Sequence, residues 1–273
     1  MNKFAVFGNP IAHSLSPTIH QMFAEQCQLA IQYDKISAPE KGFSEAAQAF
    51  FANPEAIGCN VTSPFKGAAA ALASHLNNAA SLAQSVNTLH RVDDQTLNGY
   101  NTDGIGLVAD LQNQGVALSD KTLLIIGAGG AARGVVHPLL DAGIKTLAIT
   151  NRTIAKAHHI ASQVEDSRVL ALDKPGLMSF NADIIINSTS ASLHNTLPDL
   201  EHISFADCEL AYDMAYASKP TLFMQHASDA GAKKVADGLG MLVEQAAAAF
   251  TIWTSEVPQS KPVINSLRQQ LSL

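Results

Sequence analysis

Residues 127–132 read Gly-Ala-Gly-Gly-Ala-Ala and satisfy G-x-G-x-x-G/A. The match directly follows the apolar run Leu123–Ile126 and opens a helical pattern, the context a dinucleotide-binding loop requires. A tight turn needs Gly127, and close approach of the backbone to a pyrophosphate needs Gly129. A small Ala132 lets helix and strand pack, and the helix N-terminus offers N–H groups to anionic oxygens. The following strand pattern, Thr146–Thr150, ends in Asn151-Arg152-Thr153 with Lys156 beyond it, and the next acid is Glu165. A carboxylate at that strand end would hold the ribose hydroxyls of NAD. An arginine grips a 2′-phosphate instead, which points to NADP(H).

Three polar clusters fall where an open α/β sheet would bind a ligand. They are His13-Ser14-Leu15-Ser16-Pro17, Asn60-Val61-Thr62-Ser63-Pro64-Phe65-Lys66, and Asn98-Gly99-Tyr100-Asn101-Thr102-Asp103-Gly104, the last preceded by Val86-Asn87-Thr88. Singly, Ser16, Ser63 and Asp103 read equally well as helix caps and Lys66 as a surface lysine. Together the clusters supply hydroxyls, amides, one lysine and one aspartate, a set suited to a small polyhydroxylated ligand. Lys66 lies in the first turn after Pro64, where the helix dipole disfavours a cation, so it is a candidate for proton transfer. His13 beside Ser14 suggests a Ser–His hydrolase, but no G-x-S-x-G elbow accompanies it.

The elements that must position these residues alternate. Phe4–Phe7, Ile31–Ile36 and Ile57–Val61 read as strands, Phe43–Phe51 as a helix, and Ser16-Pro17 and Ser63-Pro64 as helix starts. Asp103–Gln114 reads as a helix. Leu123–Ile126, Thr146–Thr150, Ala182–Ile186 and Leu210–Met214 read as strands. Met241–Trp253 is a long apolar helix, broken by Pro258 and Pro262 before a last helix near Val263–Leu271. The pattern predicts an α/β protein with parallel-type sheets.

Composition sets the outer bounds. The 273 residues carry 17 Lys and Arg against 24 Asp and Glu, a net charge of −7, and charged residues make up 15%, below the usual share of about 25%. No clustered basic stripe exists, which argues against nucleic acid, and no run of about 18 apolar residues argues for a membrane span. Cys27, Cys59 and Cys208 are too scattered for a disulfide framework or a metal site, so no metal is expected. The start of the chain has no signal-peptide layout, which predicts a cytoplasmic protein.

These motifs in this order resemble the shikimate dehydrogenase family along essentially the whole chain. The resemblance rests on Phe7–Ser14, Ser16-Pro17, Ile19-His20, Asn60-Val61-Thr62, Pro64-Phe65-Lys66, Val86-Asn87-Thr88 and Asn101–Gly104. It continues through Gly127–Ala131, Asn151-Arg152-Thr153, Asp213-Met214 with Tyr216, and Ala236–Leu242. It implies a two-domain α/β enzyme, with residues 1–103 and 239–273 as a substrate and catalytic domain and 104–238 as a Rossmann-like NADP domain, separated by a cleft. It implies reversible NADP-dependent interconversion of 3-dehydroshikimate and shikimate, with Lys66 and Asp103 as the catalytic pair. By similarity, Ser14 and Ser16 hold the substrate carboxylate, and Asn60, Thr62, Asn87, Tyr216 and Gln245 take further contacts. The cofactor side would be Gly127, Ala128, Gly129, Gly130, Ala131, Asn151, Arg152, Thr153, Lys156, Met214, Gly238 and Met241. A homodimer is the assembly considered.

Four places depart from the family pattern: Tyr100 before Asn101, Asn78, the Ala191-Ser192-Leu193 stretch, and Lys156 in place of a common arginine. None touches Lys66 or Asp103. The rival readings are a quinate/shikimate dehydrogenase using NAD and a non-catalytic binding protein. The missing acid after the second Rossmann strand and the two serines oppose the first. The presence of both Lys66 and Asp103 opposes the second.

Overall fold

A computed structural model describes residues 1–271 and divides the chain into two compact units. The first comprises residues 1–106 and 243–265, the second residues 107–242 and the chain from Ser266 on.

The first unit runs β1 (Asn2–Gly8), α1 (Ser16–Gln26), β2 (Ile31–Ser37), α2 (Phe43–Phe51), β3 (Ala56–Val61), α3 (Lys66–Leu72), β4 (His75–Leu76), α4 (Asn78–Ala83), β5 (Thr88–Arg91) and β6 (Leu97–Tyr100), and α5 (Asp103–Asn113) starts in it. The strand order is β2-β1-β3-β5-β6-β4. Strand β1 is apolar on both faces because both are covered. Ala5 and Phe7 enter a core with Phe43, Ala47, Phe65 and Ala69, while Phe4 packs on Ala249 and Trp253. Gly58 of β3 is required by close approach, since a Cβ there would lie 2.1 Å from Trp253 Nε1.

The expectation of a parallel-type layer holds for β1 with β2 and β3, but β5 runs antiparallel to both β3 and β6. The sheet is therefore mixed, and Asn98–Tyr100, read as part of a loop, lie within β6. Two cap assignments also change. Helix α1 has Leu15 at its N-cap position with no side-chain cap, so the Ser16 hydroxyl is not used in capping. The Ser63–Pro64 bond is cis, and α3 starts two residues later, after Phe65.

The second unit runs β7 (Thr122–Ile126), α6 (Gly130–Asp141), β8 (Thr146–Thr150), α7 (Ile154–Val164), β9 (Val169–Ala171), α8 (Lys174–Leu177), β10 (Ile184–Asn187), β11 (Leu210–Asp213), α9 (Leu222–Asp229) and β12 (Val235–Asp237). All its strand pairs are parallel, in the order β12-β11-β10-β7-β8-β9. This is the doubly wound order whose reversal, between β7 and β10, opens a ligand crevice at the strand C-termini. The apolar strands are filled on both faces. Leu123, Ile125 and Ile186 enter one core and Leu124, Ile126 and Ile185 the other.

Two helices follow, α10 (Leu239–Thr254) and α11 (Ser260–Leu271), and Pro262 sits in the first turn of α11, where proline is tolerated. The unit boundaries fall inside α5, α10 and α11. No helix among the described residues is long and apolar enough to cross a membrane.

Candidate active site

In the first unit the chain leaves β3 through a turn closed by Phe65 N–H donating to Thr62 O at 2.9 Å. The Phe65 ring is buried and stacks on Phe43 with centroids 5.3 Å apart. That anchor fixes Lys66 as the first residue of α3, and the Lys66 carbonyl accepts Val86 N–H at 2.9 Å. Asp103 opens α5, and its backbone N–H donates to Asn101 Oδ1. The two termini bring Lys66 Nζ to 2.5 Å from Asp103 Oδ2. The lysine side chain is 30% exposed and the aspartate 12%, so the pair is tethered yet open to a small ligand. The other carboxylate oxygen accepts Asn87 Nδ2 at 2.9 Å.

Around this pair lies a buried polar network. Asn87 Oδ1 accepts Thr102 N–H and Thr88 Oγ1, and Asn87 Nδ2 also reaches Thr102 Oγ1 and Gln245 Oε1. Asn60 Nδ2 donates to Asn87 O and Thr88 Oγ1, while Asn60 Oδ1 accepts the Tyr33 hydroxyl at 2.6 Å and pairs with His20 Nε2 at 3.1 Å. Ser14 Oγ accepts Ser16 N–H and lies 3.2 Å from Ser16 Oγ, which sets two hydroxyls side by side. Lys35 Nζ braces their loop by donating to Ala12 O at 2.6 Å.

Ser14, Ser16, Asn60, Thr62, Lys66, Asn87, Asp103 and Gln245 thus belong to one unit. Tyr216 belongs to the other, on the segment after β11, and burial pushes its phenol pKa up. Sequence reasoning assigned no role to His20, Tyr33, Thr88 or Thr102. Their partners are set by sheet register and aromatic stacking, which leave no local spacing signal.

In the second unit Gly127 has φ +111°, a left-handed conformation that favours glycine, and a Cβ there would fall 2.6 Å from Ser188 Oγ. Nothing lies within 4 Å of where a Cβ would stand on Gly129 or Gly130. Helix α6 starts at Gly130 with no side-chain cap and no acid in its first turn, which leaves N–H groups for an anion. After β8, Asn151 Nδ2 donates to Thr153 O and shapes the turn that displays Arg152 and Lys156. Glu165, the first carboxylate, sits at the far end of α7. The glycine cradle and the two cations without a nearby acid fit a 2′-phosphorylated dinucleotide.

Gly238 packs so closely on Met214 that a Cβ would lie 2.1 Å from the Met214 carbonyl oxygen, which ties two of the expected cofactor residues together. Met214 and Met241 both pack at the edge of the same core. The buried Asp213 carboxylate accepts Asn187 Nδ2, Ser192 Oγ, Thr221 Oγ1 and Ala215 N–H, which knits the segments leaving β10 and β11. No group of three or more His, Cys, Asp or Glu among the described residues could hold a metal, and the three cysteines are free.

Family models for the shikimate dehydrogenase substrate binding domain, shikimate/quinate 5-dehydrogenase and the shikimate 5′-dehydrogenase C-terminal domain match residues 6–89, 109–203 and 238–268. A shikimate dehydrogenase (NADP(+)) of Alteromonas mediterranea is 55% identical over 98% of this chain and 96% of its own. The crystal structure of an Ael1 enzyme from Pseudomonas putida superposes with a TM-score of 0.92 at 38% identity, covering 100% of this chain and 99% of its own. That of a Thermus thermophilus shikimate 5-dehydrogenase in complex with NADP(H) and shikimate gives 0.88 at 30% identity, covering 99% and 100%. With all three family models in chain order and a relative this similar along nearly its full length, the chain belongs to the shikimate dehydrogenase family.

Proposed function

We infer that this protein is an NADP-dependent oxidoreductase that interconverts 3-dehydroshikimate and shikimate, a reaction of aromatic amino-acid biosynthesis. The family membership supports the reaction. The observation that carries the assignment of residues is the Lys66–Asp103 pair at 2.5 Å, with Asp103 held from its other side by Asn87.

When bound, NADP(H) supplies the hydride in one direction and accepts it in the other. A ketone oxygen that gains negative charge needs a proton, and the Lys66 ammonium presents one. Asp103 restrains that nitrogen, so the proton is aimed and the lysine does not sample other rotamers. In the oxidative direction the Lys66 nitrogen receives the hydroxyl proton. Its partial exposure lets it exchange that proton with solvent. The paired hydroxyls of Ser14 and Ser16 donate to the substrate carboxylate without a countercharge. Thr62, Asn87, Gln245 and Tyr216 serve the ring hydroxyls, with Asn60 beneath them.

The cofactor is held by Gly127, Ala128, Gly129, Gly130 and Ala131 at its pyrophosphate. Asn151, Arg152, Thr153 and Lys156 meet its adenosine end, and Met214, Gly238 and Met241 complete the site. Residues 1–103 and 239–273 then act as the substrate domain and 104–238 as the cofactor domain. A cytoplasmic location and a homodimer are part of this proposal, and light scattering on the purified chain tests the assembly.

Absorbance of reduced cofactor formed from shikimate or quinate with NADP+ or NAD+ decides the reading. Turnover confined largely to shikimate with NADP+ is expected. Absence of turnover with that pair, or a preference for quinate with NAD+, would sink it.

A further inference from the structure

His20 lies on α1, is wholly buried, and is surrounded by rings. It stacks on Tyr33 with centroids 4.5 Å apart and lies within about 6 Å of Phe23, Phe250 and Trp253. A phenylalanine would fill such a place. The histidine adds one thing, a polar contact from Nε2 to Asn60 Oδ1 at 3.1 Å.

The direction of that bond follows from its neighbours. The Asn87 carbonyl is an acceptor only, and it receives Val61 N–H at 2.8 Å and Asn60 Nδ2 at 3.2 Å. The Asn60 amide must therefore turn its NH2 toward Asn87, which turns Oδ1 toward His20 and Tyr33. Two acceptors cannot pair, so His20 carries its proton on Nε2. Its Nδ1 is then a bare buried lone pair, and it has no hydrogen-bond partner. A buried acceptor left unsatisfied is unfavourable, so a histidine at this place needs a compensating role. Burial also pushes its pKa down to about 3, so it remains a neutral donor across the working range of an enzyme.

All four hydrogen-bonding positions of Asn60 are engaged inside the protein: two donors reach Oδ1 and both hydrogens of Nδ2 are donated. From Asn60 the chain of bonds runs through Thr88 and the Asn87 main chain to the Asn87 side chain. It then continues to Asp103 Oδ1 and, across the carboxylate, to Lys66 Nζ.

We propose that His20 and Tyr33 are positioning residues for the reaction, locking the Asn60 amide so that Asn87 holds Asp103, and Asp103 holds Lys66, in working geometry. The proposal rests on the assignment of Lys66 and Asp103 made above. It gives Asn60 a supporting place in the site.

The test uses the purified full-length protein and the variants His20→Phe, His20→Gln and Tyr33→Phe. Rates with shikimate and NADP+ are measured across pH, together with NADP+ affinity by calorimetry. In His20→Phe, kcat falls about 10- to 100-fold through misplacement of the pair. The midpoint of its pH profile moves, KM for shikimate changes less, and NADP+ affinity is kept. His20→Gln restores an N–H donor and recovers most of kcat. Tyr33→Phe, which removes the other donor to Asn60 Oδ1, moves the same midpoint, and its KM for shikimate changes less than its kcat.

Wild-type kcat and pH profile in His20→Phe would overturn the proposal, as would a His20→Gln enzyme no better than His20→Phe. If His20→Phe does not fold, an unchanged pH midpoint in Tyr33→Phe overturns it. A wild-type protein without shikimate turnover removes the functional assignment and this inference together. An active wild type with indifferent variants removes the inference alone.

Discussion

The buried His20 makes a measurable claim about stability in acid. Its ring is fully buried and its pKa is pushed from 6.5 down to about 3, because burial penalises the charged form more than the Asn60 bond relieves it. The unfolded chain takes up a proton on this residue as the pH falls through 6.5, and the folded chain does not. Stability is therefore fully present above 6.5 and is lost progressively toward pH 3, by about 1.4 kcal/mol per pH unit. Between pH 7.5 and pH 5 the loss from this one group is about 2 kcal/mol. His90 is shifted the same way by burial and adds to the slope. Carboxylates such as Asp166, held down near 2 by Arg168, lose their share only in stronger acid. Urea unfolding followed by fluorescence of Trp253, the one tryptophan of the sequence and 5.3 Å from the His20 ring, reads this unit directly. The stability of His20→Phe is expected to fall by about 2 kcal/mol less than that of wild type over the interval. Parallel pH dependences in the two proteins would refute the reasoning, because they would mean that His20 titrates alike in folded and unfolded chains.

Lys66→Ala should lose about 10²- to 10⁴-fold in kcat with a modest change in KM for shikimate, and near-wild-type turnover in steady-state assays would remove the lysine from the chemistry. Arg152→Ala should weaken NADPH by about 1.5–3 kcal/mol and NADH far less, as read by fluorescence titration; equal losses would exclude contact with the phosphate. Gly127→Ala forces a Cβ to 2.6 Å from Ser188 Oγ at a φ of +111°. It should impair NADP+ binding while calorimetry still shows shikimate binding, and unimpaired NADP+ affinity would contradict the cradle. Raising salt from about 50 to 500 mM should increase KM for NADP+ more than KM for shikimate, because exposed cations meet the first and neutral hydroxyls the carboxylate of the second. A parallel rise in both constants would count against that division.

The second unit was legible because its signals are local. Leu123–Ile126 is a continuous apolar run because both faces of β7 are covered, and the glycines follow at once. The missing acid after Thr150 needs only the neighbouring residues to be read. The first unit hid more. Ser63-Pro64 looks like a helix start, yet the turn at Phe65 delays the helix until Lys66. The β5–β6 pair leaves little signal because its strands are four residues each and mix polar with apolar residues without clear alternation. Lys66 and Asp103 each drew notice through residue type and helix position, but their pairing spans 37 residues. It entered the sequence reading through the family resemblance, since no spacing rule links them. The support from His20 and Tyr33 depends on ring stacking and on the orientation of one amide, neither of which a linear pattern encodes.

A protein of net charge −7 that binds a carboxylate and a polyphosphate must locate its positive groups with care. Many of its cations are engaged in internal bonds. Lys121 meets Glu209, Arg168 meets Asp166, Lys174 meets Asp199 and Glu201, and Arg268 meets Asp237. Arg91, Lys35 and Lys234 donate to backbone carbonyls. On the proposed assignment the anions are met where a donor is fixed: the Ser14 and Ser16 hydroxyls, the open start of α6, and the turn that displays Arg152 and Lys156. A hydroxyl pair on the Ser14–Ser16 turn and N–H groups at a helix terminus do not change charge with pH. Recognition on this assignment depends on where a few donors are held and not on the overall charge.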